Sequence, residues 1–336
     1  MSYRTLTAGA LGAAAIVFGV SPALSHVFVG SRFFPATLTI DDPGVNDELA
    51  LPTFAYLANP DIILDDGTHQ GSRQYNYSFE YSKRITPDFG ISIEDSYTRL
   101  TPLGSGWQNL ETSLKYQLFI NAEHEFILSL GVGFEWGHTG NATVGAEPFT
   151  SWEPQIFFGK GAGDLPTELD IFRPFAVTGQ MGVALSTHPI NVSVSFDPET
   201  RLNTVDIERS PTALNWGFSL QYSLPYMNSN VLAIDNEFLK HLIPLVEVSF
   251  STPIANIGPT GSGNSHVTIG TINPGVIYSA RYFQIGIEAL IPVNADSGKH
   301  VGAIAQLHFY LDDIFPDSLG KPLFAPEGFV SARSPF

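Results

Sequence analysis

The sequence predicts an all-β fold, an antiparallel transmembrane β-barrel of about 12 strands with an irregular N-terminal lead-in and a C-terminal tail. Three observations carry that expectation. Apolar and polar side chains alternate along about eleven segments, the period of a strand with one greasy and one polar face. The best-marked segments are as long as a tilted strand needs to cross a bilayer, roughly 9–11 residues, whereas strands of soluble domains more often run to ~5–6. Short turns (86–88, 120–124, 279–281) alternate with longer loops (101–106, 137–146, 187–211, 251–264), and aromatics such as Tyr81, Phe89, Phe126 and Tyr282 gather beside the short turns. Outer-membrane barrels place short turns in the periplasm, long loops outside and aromatic girdles at the interfaces.

The first 25 residues read as a secretory signal peptide. Arg4 supplies the charged start, Leu6 to Val20 the apolar run, and Pro22-Ala23-Leu24-Ser25 the small residues before a cleavage point. No later segment offers the ~20 nearly continuous apolar residues of a spanning helix. With Cys 0, disulfide scaffolds, thiolate metal sites and cysteine nucleophiles are excluded. A formal net charge of -17 argues against nucleic acid, whose phosphates require a basic stripe. The partners expected are therefore outer-membrane lipid and small solutes, and the location is the bacterial outer membrane.

Residues 26–70 are the least regular. Val27, Val29 and Phe33-Phe34 could begin a strand, but Asp41-Asp42-Pro43-Gly44, Pro52, Pro60 and Asp65-Asp66-Gly67 interrupt the stretch. From Arg73 the alternation is clear, with Tyr75, Tyr77, Phe79 and Tyr81 facing one way. Phe89 to Tyr97 follows, and then a hairpin whose arms place Leu110 to Leu118 and Phe126 to Phe134 on apolar faces. Further segments centre on Ile156, Met181, Phe218, Val248, Val276, Ile287 and Ala305. The barrel is thus expected over 71–311 and the tail over 312–336. If the long loops lie outside, the strand at Gln74 descends, so an ascending strand must precede it somewhere in 26–70.

Asn109-Leu110-Glu111-Thr112-Ser113-Leu114-Lys115-Tyr116-Gln117-Leu118, followed after a turn by Leu128-Ser129-Leu130-Gly131-Val132-Gly133, resembles the Gram-negative outer-membrane family of phenol-degradation meta-pathway transporters. Asn215 to Tyr222 and Gly275 to Tyr278 extend the resemblance, which covers roughly residues 70–311. It implies a channel for hydrophobic or aromatic compounds. The tail departs from the usual pattern, in which the last strand ends the chain at an aromatic: Pro322, Pro326 and Pro335 make Phe324 to Phe336 a poor strand.

No catalytic motif, metal-ligand spacing or cofactor loop is present. Gly258 to Ser265 has the glycines of a phosphate loop but Asn264 where Lys is required, and His124-Glu125 has no second His at helical spacing. What stands out is the polar face. Alternation points Glu80, Glu94, Glu111, Glu135, Glu153, Glu247 and Glu288 inward, with Lys115 as basic counterpart and His308 nearby. Acidic rings disfavour anions in cation-selective pores, so the expectation is a passive channel for small molecules, narrow or gated because side chains fill so small a barrel. The bland alternative is a plugged interior in which these Glu residues are merely hydrated or hydrogen-bonded. Two other classes share the pattern: an adhesive or structural barrel whose loops, such as 187–211, bind a surface partner, and a secreted β-sandwich binding protein.

Overall fold

The computed structural model describes residues 27–63, 69–197, 202–257 and 266–325. The leader expected at 1–25 and the end of the tail lie outside them. Twelve strands form a wall: β1 (Glu48–Ala58), β2 (Arg73–Thr86), β3 (Phe89–Thr101), β4 (Glu111–Asn121), β5 (Phe126–Glu135), β6 (Ser151–Gly161), β7 (Phe175–Ser186), β8 (Thr212–Tyr222), β9 (Leu242–Ala255), β10 (Ile269–Ser279), β11 (Phe283–Pro292) and β12 (His300–Tyr310). Each pairs antiparallel with its sequence neighbours, and β12 pairs with β1, so the sheet closes on itself. Closure leaves no strand edge with unpaired backbone, as hydrocarbon demands.

The alternation read from the sequence is the alternation of the wall. On β11, Ile285 and Ile287 are 49% and 56% exposed while Glu288 beside them is 2% exposed. Met181, Phe218, Leu220 and Val246 are likewise exposed outward, and Gln221, Glu247 and Gln284 are buried inward. The turns at 87–88, 122–125 and 280–282 are tight. Two connections at the same end are longer: 162–174 carries a 3-10 turn (Thr167–Phe172), and 223–241 carries α1 (Leu224–Asn230), capped by Ser223 accepting from the Tyr226 amide. At the opposite end the loop at 187–211 is itself a ribbon, Ile190–Asp197 against Leu202–Arg209.

β1 is the strand that parity requires within 26–70, and it brings the start of the barrel forward to Glu48. Its alternation is disguised by Pro52, which has no N–H for the ladder. The register slips there on both sides, between Ala50 and Thr53 against β2 and between Gln306 and His308 against β12.

Residues 27–47 fold inside the barrel. A small hairpin, Val27–Val29 against Arg32–Phe34, sits near the tight-turn end, and 36–47 crosses the lumen as a plug. Hairpin and plug together meet every strand of the wall. Asp47 holds Lys83 and Arg84 of β2, Val45 rests on Gly90 of β3, and Asp41 pairs with Lys115 of β4. The Ser129 hydroxyl of β5 donates to the Pro43 carbonyl, Pro43 and Phe34 cover Gly159 of β6, and Gln180 of β7 accepts from the Asp41 amide. Ile40 lies on Gly217 of β8, while Glu247 of β9 and Asn273 of β10 bond to Thr39. Leu38 covers Gly286 of β11, and Phe33 packs edge-on to Tyr310 of β12 and into the same cluster as Ala55 of β1.

Several inward positions are accordingly apolar where the wall was expected to be polar. Ile243, Leu245, Ile277, Leu290 and Ile304 form one buried cluster with Phe33 and Leu38, and Ile127 and Ala176 form a second with Val27, Val29 and Phe34. Each such large side chain removed from water stabilises the seated plug by about 1.5–3 kcal/mol.

Two buried ion networks pin the ends. Arg32 donates to Glu125 at 3.0 Å and to the Pro174 carbonyl at 3.0 Å, and its guanidinium lies 3.8 Å over the Tyr226 ring. That single side chain ties the hairpin to the β4–β5 turn, the 162–174 connection and α1. At the far seam Asp47 accepts from Lys83 and Arg84, both at 2.6 Å. These cations also donate to the carbonyls of Leu319, Lys321 and Gly320 in the tail, which leaves β12 through a short helix, α2 (Leu311–Ile314).

Candidate functional site

The candidate site is the space left between the plug and the wall, a cavity of about 500 Å³ bounded by residues 36–46 on one side and mainly by β1–β4 and β12 on the other. Its chemistry follows from register. Glu80 of β2 is the cross-strand partner of Glu94 of β3, Glu94 of Glu111 of β4, and Glu111 of Glu135 of β5. Four carboxylates therefore stand abreast on four consecutive strands, neighbours separated by roughly 4.5–5.5 Å at Cβ. Like charges placed directly opposite destabilise a sheet, so the row costs the fold something and persists in a water-accessible face.

The row has few partners. Glu135 accepts from Asn109 at 2.8 Å and from Ser151 at 3.3 Å, and Glu80 accepts from Ser82 at 3.2 Å. Among the described residues no Lys or Arg is bonded to any of the four. Lys115, expected as their basic counterpart, turns instead to the plug. Its ammonium contacts the Asp41 carboxylate at 2.6 Å, donates to the Asp42 carbonyl at 2.9 Å and lies 4.6 Å from the Phe157 ring. The plug thus brings its own acids to Lys115, the one lysine among the described residues of the cavity lining, and leaves the row uncompensated.

The remaining expected residues fall in other places. His308 is buried on β12 with Nε2 3.0 Å from Glu48 at the start of β1, and both line the cavity. Glu153 of β6 faces inward beyond the cavity lining and accepts from Asn215 at 2.9 Å. Glu247 and Glu288 stand on the opposite wall, beneath the plug, and Glu247 accepts from the backbone N–H groups of Leu38 and Thr39 at 3.1 and 2.8 Å. The nine side chains are therefore split between an acidic row of four, the plug anchor Lys115, the buried pair Glu247 and Glu288, and the separately placed Glu153 and His308.

Sequence reasoning missed Asp41, Asp42 and Glu48. With Glu80, Glu94 and Glu111 they give the cavity lining six carboxylates against one ammonium. For the first two the signal is the run Asp41-Asp42-Pro43-Gly44, which by sequence pattern is turn punctuation in an irregular stretch. The wall's inward glycines, at Gly90, Gly159, Gly217 and Gly286, hint that something has to be accommodated; a Cβ added at Gly90 would come within 2.6 Å of Val45 Cγ1.

Comparison with solved structures agrees with this architecture. The chain is similar to the COG4313 outer membrane channel from Pseudomonas putida F1, with 12% identity, a TM-score of 0.50, and coverage of 83% of this chain and 99% of that one. The KdgM porin (10% identity, TM-score 0.43, coverage 78% and 98%) and the NanC porin (8%, 0.42, 78% and 98%) also match. At 12% identity the likeness to the COG4313 channel is one of fold alone, that of a closed antiparallel barrel. No protein-family model matches the chain, and no curated protein matches it.

Proposed function

We propose that this protein is a passive outer-membrane channel for small polar solutes, with the tight turns in the periplasm, a signal peptide removed after Ser25, and a plugged lumen that favours cationic and neutral molecules over anions. The observation that carries the reading is the excess of six carboxylates over one ammonium in the cavity lining, with the Glu80–Glu94–Glu111–Glu135 row left without a bonded cation. A lumen of one sign walled by low-dielectric protein concentrates counter-ions and repels co-ions. The cavity volume sits in the range of small-molecule sites, about 300–1,000 Å³.

Lining residues also bear on what passes. Ser78, Ser92, Ser113, Asn76 and Gln155 are polar, which suits hydrated solutes better than the hydrophobic or aromatic compounds that the phenol-pathway resemblance implies. Catalysis forms no part of this reading. Liposome swelling with matched solutes tests it: a small diamine or amino sugar should enter faster than a carboxylate of the same size. Faster entry of the carboxylate would refute the charge reading, and no entry of any solute would refute the channel.

A further inference from the structure

Diametrically across the barrel from the acidic row lies a second group of oxygens that the channel reading does not use. Ser219 of β8, Glu247 of β9 and Asn273 of β10 are consecutive cross-strand partners, and all three are 0% exposed. Glu288 of β11, 2% exposed, leans over Gly275 and brings its carboxyl to that of Glu247. Glu247 Oε2 is well supplied, accepting from the amides of Leu38 and Thr39 and from the Thr39 hydroxyl. Apart from that carboxyl–carboxyl contact, Glu247 Oε1, both Glu288 carboxyl oxygens, Asn273 Oδ1 and Ser219 Oγ have no hydrogen-bond partner among the described residues. Among the described residues no Lys, Arg or His is bonded to either carboxylate.

Buried acceptors facing one another without donors are costly, and two ionised carboxylates side by side more so. A shared proton or a bound cation between them removes that cost. Among the described residues no three His, Asp or Glu side chains converge as a transition-metal site would require. What stands together, on neighbouring strands and buried, is an all-oxygen set of two carboxylates, an amide carbonyl and a hydroxyl, the ligand chemistry of a hard cation. We propose that Glu247, Glu288, Asn273 and Ser219 hold a hard divalent cation of the calcium type, and that this ion locks the plug to the wall through Thr39. Thr39 joins the plug to this group, since its hydroxyl donates to Glu247 at 2.8 Å and accepts from Asn273 at 2.9 Å. The ion's charge would fix both side chains around it. By mass action, a cation at 100 times its dissociation constant favours the locked plug by about 100-fold.

The competing way to satisfy the pair is a proton shared between the two carboxyl groups, and Glu288→Gln separates the two. The full chain, folded with Ca²⁺ and passed into Ca²⁺-free buffer, should retain one ion per chain by elemental analysis. Glu288→Gln should lose that ion while its heat-modifiable gel migration still reports a folded barrel, and Glu94→Gln, in the row across the lumen, should keep it. A second readout uses the absence of native cysteine (Cys 0): Ile40→Cys, at a buried plug position, should be alkylated about 100-fold faster after chelation. In the Glu288→Gln background that rate should be high with or without Ca²⁺. A metal-free wild type whose labelling ignores chelator, or a Glu288→Gln variant that keeps both ion and slow labelling, would overturn the site. Loss of the ion from Glu94→Gln alone would overturn it too, by placing the ion in the lumen row.

Discussion

Asp47 is 0% exposed and accepts from the Lys83 ammonium, the Arg84 guanidinium and the Arg84 amide, while its own carbonyl accepts from the Leu311 amide. One residue thus joins the end of the plug, β2 and the chain leaving β12, its carboxylate holding β2 and its carbonyl the start of α2. Removing a buried partner strands the charges that remain, which costs about 3–5 kcal/mol. Asp47→Asn is therefore expected to lower the free energy of barrel unfolding by that order, seen as a lower urea midpoint when unfolding is followed by gel migration. An unchanged midpoint would mean that the seam does not depend on the network. The acidic row makes a different prediction. Glu94 and Glu111 are cross-strand partners at its centre, so the Glu94→Gln/Glu111→Gln variant should lose cation preference and show a zero-current potential in a salt gradient that moves toward zero. Conductance that keeps its full selectivity would assign the selectivity to other groups.

At the level of elements, the plug is a guest for which the wall has been thinned. Gly286 lies under Leu38, and the atoms that a Cβ there would meet all belong to that side chain. Gly286→Leu should therefore leave β11 paired but overpack the plug by ~1–3 kcal/mol, shifting the seated-to-displaced balance by roughly 5–150-fold. Larger or more frequent open-channel events are the expected record, and Leu38→Ala combined with Gly286→Leu should return toward wild type. Enlarged conductance that persists in the double variant would remove the plug from the account. These elements also mark where the sequence was legible. Strands such as Phe283–Pro292 announced themselves, because lipid on one side and a lumen on the other force strict alternation. β1 was required by parity but hidden, since Pro52 slips its register and blurs its faces. The plug was not legible, because residues 36–47 take their conformation from the wall around them and have no period of their own. Its traces lay in the host, in inward glycines and in inward Ile243, Leu245 and Ile277 where polar residues were expected.

For the whole molecule, closure converts single-strand patterns into a ring. Each inward Glu could be assigned to a face from its own strand, but that four of them stand abreast depends on register across three strand pairs, which no single segment encodes. Charge on the molecular scale reinforces the local pattern: the formal net charge is -17, and the cavity lining carries six carboxylates to one ammonium. The zero-current potential of the wild-type chain in a planar bilayer under a salt gradient probes this arrangement most directly. A sign showing preferential passage of cations is predicted. A sign showing preferential passage of anions would contradict the account of an acidic lumen bounded by the plug.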